Sequence, residues 1–220
     1  MTDLFYLIRP ASYSYLLDGK DLYDSFDAVA TNTIDVGITP EAKPCNPPLT
    51  SPVGGTSILC ANDRRSFQTA SLLTKYPLKL DLLHEIRYEM SQVMSKTAFF
   101  GTGDKPDIIK ARRSFAEALA KNRLTEKYPD VVNRAINLLN HVRDLDGEAA
   151  VLVSHGFFIK FVEIYLRRNA ISHDAGLFLK YFNEDSSMFG FCEGFSARLN
   201  EGKFMFDRYL RSGCDDHNDK

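Results

Sequence analysis

Short apolar runs alternate along this chain with longer stretches in which apolar residues recur every three or four positions. Leu4-Phe5-Tyr6-Leu7-Ile8 and Ala149-Ala150-Val151-Leu152-Val153 are uninterrupted apolar runs of strand length, which predicts strands covered on both faces. They place strands over 3–8 and 149–153, and residues 57–60 and 78–82 predict shorter ones. Leu16-Leu17 and Leu22-Tyr23 suggest a short helix within 12–30, and 31–40 reads as loop. Phe67, Ala70, Leu72 and Leu73 recur at helical spacing over 65–75, with Pro77 as the stop. Pro129 is suited to a first helical position, and Val132, Ala135, Ile136, Leu139 and Val142 then form one apolar face as far as Asp144. A further helix is expected over 157–168, with Phe158, Phe161, Val162 and Tyr165 inward, and Ser172 is placed to cap another towards Tyr181. Residues 187–192, 195–199 and 203–208 predict late strands, the last two joined by the tight turn Asn200-Glu201-Gly202.

Two stretches interrupt this rhythm. Pro44, Pro47, Pro48, Pro52, Gly54 and Gly55 forbid a regular helix over 43–56. No clear strand is visible from Glu85 to about Lys127, where Gly101, Gly103 and Pro106 precede a basic helix over 107–121. We read 86–127 as a helical cap insertion near the top of the sheet. Strands alternating with helices predict a three-layer α/β sandwich with a mainly parallel central sheet. One domain over 1–211 and a polar, flexible tail over 212–220 complete the expected organisation.

Composition narrows the function classes. The chain has 220 residues, 44% hydrophobic and 25% charged, enough for one core without staples. A net charge of −2 provides no global field for nucleic acid or membrane, so any anion site must be built locally from a few arginines. No apolar run reaches membrane-spanning length, and no basic segment followed by a long apolar one opens the chain, so a cytoplasmic protein without a signal peptide is expected. Cys45, Cys60, Cys192 and Cys214 show no Cys-x-x-Cys or zinc-ligand spacing, which argues for a reducing compartment, no disulfide and no metal. No cofactor is expected.

The candidate chemistry lies at strand ends. Ligands of parallel α/β sheets sit beyond the carboxyl ends of the strands. Arg9 ends the first run, His155 ends the 149–153 run, and Arg65 opens the helix after the 57–60 strand. Guanidinium groups bind oxyanions through paired, charge-assisted hydrogen bonds, and helix N-termini add backbone amides. The expected partner is therefore a phosphorylated or other anionic small molecule.

Leu7-Ile8-Arg9, Ile38-Thr39-Pro40-Glu41, Arg65 with Gln68-Thr69-Ala70, Glu85 and Ser154-His155-Gly156 together resemble, in order, the motifs of the histidine phosphatase (phosphoglycerate mutase-like) superfamily. The resemblance implies the phosphoglycerate mutase-like fold, substrate contacts from Arg9, Arg65 and His155, and a proton-donating acid at Glu85. It also implies a nucleophilic histidine directly after Arg9, where this chain has Pro10 followed by Ala11. A proline ring within the chain has no basic nitrogen and forms no phosphohistidine. The proline-rich 43–56 segment is a second departure, lying where the family has a helix.

Three functions follow from this reading. The first is a pseudo-phosphatase that binds an anion in a binding or regulatory role. The second is an active phosphomonoesterase that uses Ser12, Tyr13, Ser14 or a water activated by Glu85 or His155. The third is a fold repurposed for a non-phosphate anion such as a carboxylate. Arg64, His84, His141 and His173 read as surface or structural residues, and Cys214, Asp215, Asp216 and His217 as part of the acidic tail. Lys110, Arg112 and Arg113 read as a solvated helix face or as cap residues that steer an anion. The oligomeric state stays open, with a homodimer as one option.

Overall fold

The apolar runs form strands, and side-chain alternation along them decides the layers. The computed structural model describes residues 2–11, 19–31, 33–40, 55–101, 106–168 and 174–211. In chain order the elements are β1 (Leu4–Ile8), α1 (Leu22–Ala30), β2 (Thr56–Cys60), α2 (Arg64–Ser71) and β3 (Leu78–Lys79). A 3₁₀ turn (Asp81–Leu83) leads into α3 (Met90–Val93), α4 (Lys96–Phe100), α5 (Ile108–Ala120) and α6 (Tyr128–Arg143). Then come β4 (Ala149–Val153), α7 (Gly156–Arg167), α8 (Ala175–Glu184), β5 (Gly194–Asn200) and β6 (Lys203–Leu210). Leu16, Leu17, Glu41, Cys45, Ser172, His173, the proline-rich residues 43–54 and the tail with Cys214 lie outside the described residues.

Among the described residues the strands form a six-stranded sheet in the order β3-β2-β4-β1-β5-β6. β3, β2, β4 and β1 run parallel, and β5 and β6 add an antiparallel hairpin beside β1. Side chains alternate across a strand, so Phe5, Leu7, Leu59, Ala150 and Leu152 join the large core with Val132 and Ala135 of α6 and Phe158 and Val162 of α7. Ile8, Ile58, Cys60, Val151 and Val153 turn to the opposite face, where Ala70 of α2 packs. Helices thus flank the sheet on both sides, which makes the three layers.

The strand hairpin shows two backbone requirements met by glycine. Glu201 and Gly202 both have positive φ, the geometry of a tight two-residue turn between twisted strands. A Cβ on Gly194 would lie 1.8 Å from the Leu7 carbonyl oxygen, so only glycine lets β5 close against β1.

Several elements differ from the sequence expectations. Residues 187–192 form no strand: Arg9 donates to the Phe189 carbonyl, and Cys192, at φ 57°, donates its N–H to the Arg9 and Pro10 carbonyls, so the segment wraps the end of β1. The 78–82 strand shortens to Leu78–Lys79, because Asp81 begins the 3₁₀ turn. The helix expected over 65–75 ends at Ser71, and its Phe67 and Leu72 are exposed rather than inward. Asp174 caps α8, accepting from the N–H groups of Gly176 and Leu177. Among the described residues no helix is long and apolar enough to cross a membrane.

Candidate anion-binding site

Sheet register brings the candidate residues to one edge. Ile8 and Cys60 both pair with Val153, so β1, β2 and β4 end level with one another. The ladder continues one step further: Ser154 N–H donates to the Ile8 carbonyl (2.9 Å) and Ala61 N–H to the Val153 carbonyl (3.1 Å). Arg9, Asp63, Arg65 and His155 follow directly from these ends.

Asp63, Arg65 and His155 form a closed ring of contacts. Arg65 Nη2 lies 3.0 Å from His155 Nδ1, His155 Nε2 lies 2.8 Å from Asp63 Oδ2, and Asp63 Oδ1 lies 3.4 Å from Arg65 Nε. Arginine N–H groups only donate. Nδ1 therefore accepts, and the imidazole carries its hydrogen on Nε2 and donates it to Asp63. Asp63 also caps α2, accepting the Ser66 N–H at 3.0 Å. Burial raises the pKa of an acid, but the adjacent His155 ring, Arg65 and the Ser66 N–H override it and hold Asp63 well below the usual carboxylate range. All three side chains are nearly shielded from solvent.

Asp63 was missed by reasoning from sequence. Its signal was available: an aspartate immediately before a helical stretch, with its bonded N–H three residues on, is a capping pattern.

Glu85 occupies the start of α7. Its Oε1 accepts N–H groups from Ile86 and Phe158, both at 2.9 Å, and its Oε2 accepts from Phe157 at 3.2 Å. Free helix amides were expected to add to an anion site here. Instead the chain places its own carboxylate on two of them, and Asp63 likewise takes one amide of α2, where a carboxylate also compensates the helix dipole. The residues just before Glu85 are fixed from α6. Arg134 Nη1 donates to the carbonyls of Leu82 (3.1 Å) and His84 (2.7 Å), while its other nitrogens form a buried double hydrogen bond with Glu126 at 2.8 and 3.0 Å. His84 has a structural place: its Nδ1 hydrogen bonds the Glu85 carbonyl at 2.6 Å, and burial with the nearby Arg134 charge lowers its pKa.

Arg9 reaches the same region from β1. Its Nη1 donates to the Phe189 carbonyl at 2.7 Å, and its guanidinium lies 4.7 Å from the Phe191 ring centre. The residues that follow Arg65 each have a local task. Thr69 Oγ1 accepts the Ala11 N–H at 2.9 Å and donates to the Arg65 carbonyl, tying the end of β1 to α2. Gln68 Oε1 accepts the Ile38 N–H, and Ala70 is fully buried against the sheet.

Arg9, Pro10, Arg65, Glu85 and His155 all line one cavity of about 150 Å³. Its remaining walls come from α1, α3, α4, α5, Tyr88, the start of α7 and Met188, and Arg112 of the basic helix reaches it, whereas Lys110 and Arg113 are exposed. Arg64 and His141 are exposed, as expected. Ser12, Tyr13, Ser14 and the Cys214–His217 group lie outside the described residues. Cys60 and Cys192 are buried free thiols. Among the described residues no cluster of three or more His, Cys, Asp or Glu is positioned to hold a metal ion.

No protein-family model and no curated protein matches this sequence. Solved structures match it over nearly its whole length. A phosphoserine phosphatase mutant from Entamoeba histolytica, in complex with phosphoserine, superposes with a TM-score of 0.61 at 16% identity, covering 97% of this chain and 98% of that one. A mycobacterial glucosyl-3-phosphoglycerate phosphatase in complex with VO3 gives 0.60 at 14% identity, covering 96% and 100%. The shared feature at these identities is the fold. The chain has the phosphoglycerate mutase-like α/β fold that its motifs implied.

Proposed function

We propose that this chain is a divergent member of the histidine phosphatase superfamily that binds a small anion at Arg9 and Arg65, beside His155, and forms no phosphohistidine. Pro10 carries the reading. It follows Arg9 at the end of β1 and lines the cavity, where the motif resemblance calls for the nucleophile. Its nitrogen is part of a peptide bond, with the lone pair delocalised into the carbonyl. No histidine precedes His84 anywhere in the sequence.

The other groups that phosphoryl transfer needs are engaged elsewhere. A substitute attack by His155 requires a free ring lone pair, and the Nδ1 lone pair faces an Arg65 N–H while Nε2–H is held by Asp63. Glu85, as a proton donor to a leaving group, would have to give up acceptor contacts with the α7 amides. What the edge keeps is positive charge beside a cavity, which suits binding. Solved structures of this fold include phosphatases in complex with phosphoserine and with VO3, which supports an anion-binding reading. The role that fits is that of a pseudo-phosphatase acting by binding or regulation.

Thermal unfolding with and without inorganic phosphate or sulfate tests the binding claim. A ligand that binds only the folded state raises its stability with concentration. Wild type is expected to be stabilised by millimolar anion and Arg65→Ala is not. Equal shifts in both proteins would remove Arg65 from the site.

A further inference from the structure

We propose that the natural ligand of this pocket is an anionic head group on an apolar body about the size of a benzene ring. The proposal rests on the anion-pocket reading and narrows it.

Cavity shape makes the first argument. Arg65 touches His155, Arg9 Nε lies 3.9 Å from where a Cβ on Gly156 would be, and Glu85 holds the next two amides, so these residues form one polar end of the lining. The rest of the lining is apolar or aromatic, with Phe26, Val93, Phe99, Ile108, Phe115 and Phe157 prominent. Phe115 and Phe157 stack at 3.7 Å between centroids, with the Tyr88 ring edge-on to Phe115 at 4.9 Å, so this wall is a continuous aromatic surface. A cavity of about 150 Å³ lined in this way accepts one ring or a chain of about six carbons.

The second argument is what the walls lack. Beyond the polar end, Tyr88 and Arg112 are the only described lining residues with polar side-chain atoms. A sugar phosphate or a polyhydroxylated acid would lose the water around each hydroxyl and find few partners in exchange. An apolar body gains by the same transfer.

Charge makes the third. Arg9 and Arg65 at the polar end, with Arg112 farther along the lining, favour a negatively charged head group over a neutral one.

Calorimetric titration of the full chain with phenylacetate, acetate and the neutral 2-phenylethanol separates these elements. Phenylacetate is expected to bind roughly 10- to 100-fold more tightly than acetate, the gain from burying one ring. It should also exceed 2-phenylethanol. Ala111→Phe, which projects a ring into the cavity from α5, should weaken phenylacetate by about 10-fold or more. If circular dichroism shows that variant misfolded, Val29→Phe replaces it. Equal affinity for acetate and phenylacetate would overturn the apolar body and leave the anion reading standing. Equal affinity for 2-phenylethanol and phenylacetate would overturn the anion reading itself. No binding by any probe would overturn both readings.

Discussion

His155 donates its Nε2 hydrogen to Asp63 across 2.8 Å, so the histidine that ends β4 is held by a carboxylate that starts the helix after β2. With Arg65 closing the ring, neither imidazole nitrogen is left to act on a substrate unless the ring of contacts opens. The same contacts hold Arg65 and His155 in the wall of one cavity. Local capping, strand register and electrostatics therefore converge on a rigid site.

Asp63→Asn tests that rigidity. Asparagine still caps a helix, so the change isolates the charge. Asp63 is held ionised well below its usual range, and its contribution is fully present above the unfolded-chain value near 4 and fades as pH falls below it. Urea unfolding should show the variant less stable by about 1–3 kcal/mol at pH 7, with the gap narrowing progressively below about pH 4. A gap independent of pH would contradict the assigned charge.

Arg134 is a positioning residue for Glu85, acting through the Leu82 and His84 carbonyls. Arg134→Met leaves Glu126 buried without its partner and is expected to cost about 3–5 kcal/mol. Arg134→Met with Glu126→Leu should recover part of that loss, because the stranded charge is gone. A double variant as unstable as the sum of the two singles would show that the pair does not act as a unit.

Cys60 lies at the carboxyl end of β2, fully buried, and burial with the nearby Asp63 charge pushes its thiol up to about 11. Only the thiolate reacts readily. Mass-spectrometric mapping after brief treatment with a thiol reagent at pH 8 should find Cys60 unmodified in the native protein and modified in urea. Native labelling would mean that the sheet edge opens.

Much of the frame was legible because its causes are local. The β1 and β4 runs are apolar throughout, being buried on both faces, and Pro129 and the apolar stripe that follows marked α6 within a residue or two. Asn200-Glu201-Gly202 announced the hairpin by residue type alone. Residues 187–192 misled because Phe189 and Cys192 are apolar and buried, yet their backbone is spent on Arg9 and Pro10 rather than on a ladder. Glu85 could be singled out by motif, but its seat on the α7 amides is made with residues more than 70 positions away. Contacts of that range leave no periodicity to read.

The central claim is that the pocket binds an anion without turning a phosphoester over. Phosphate release from a broad phosphoester panel, measured for wild type and Arg65→Ala side by side, tests it most directly. The account predicts no release by wild type above the level of the variant. Release by wild type that collapses in Arg65→Ala would contradict it and reveal a working phosphatase with another nucleophile.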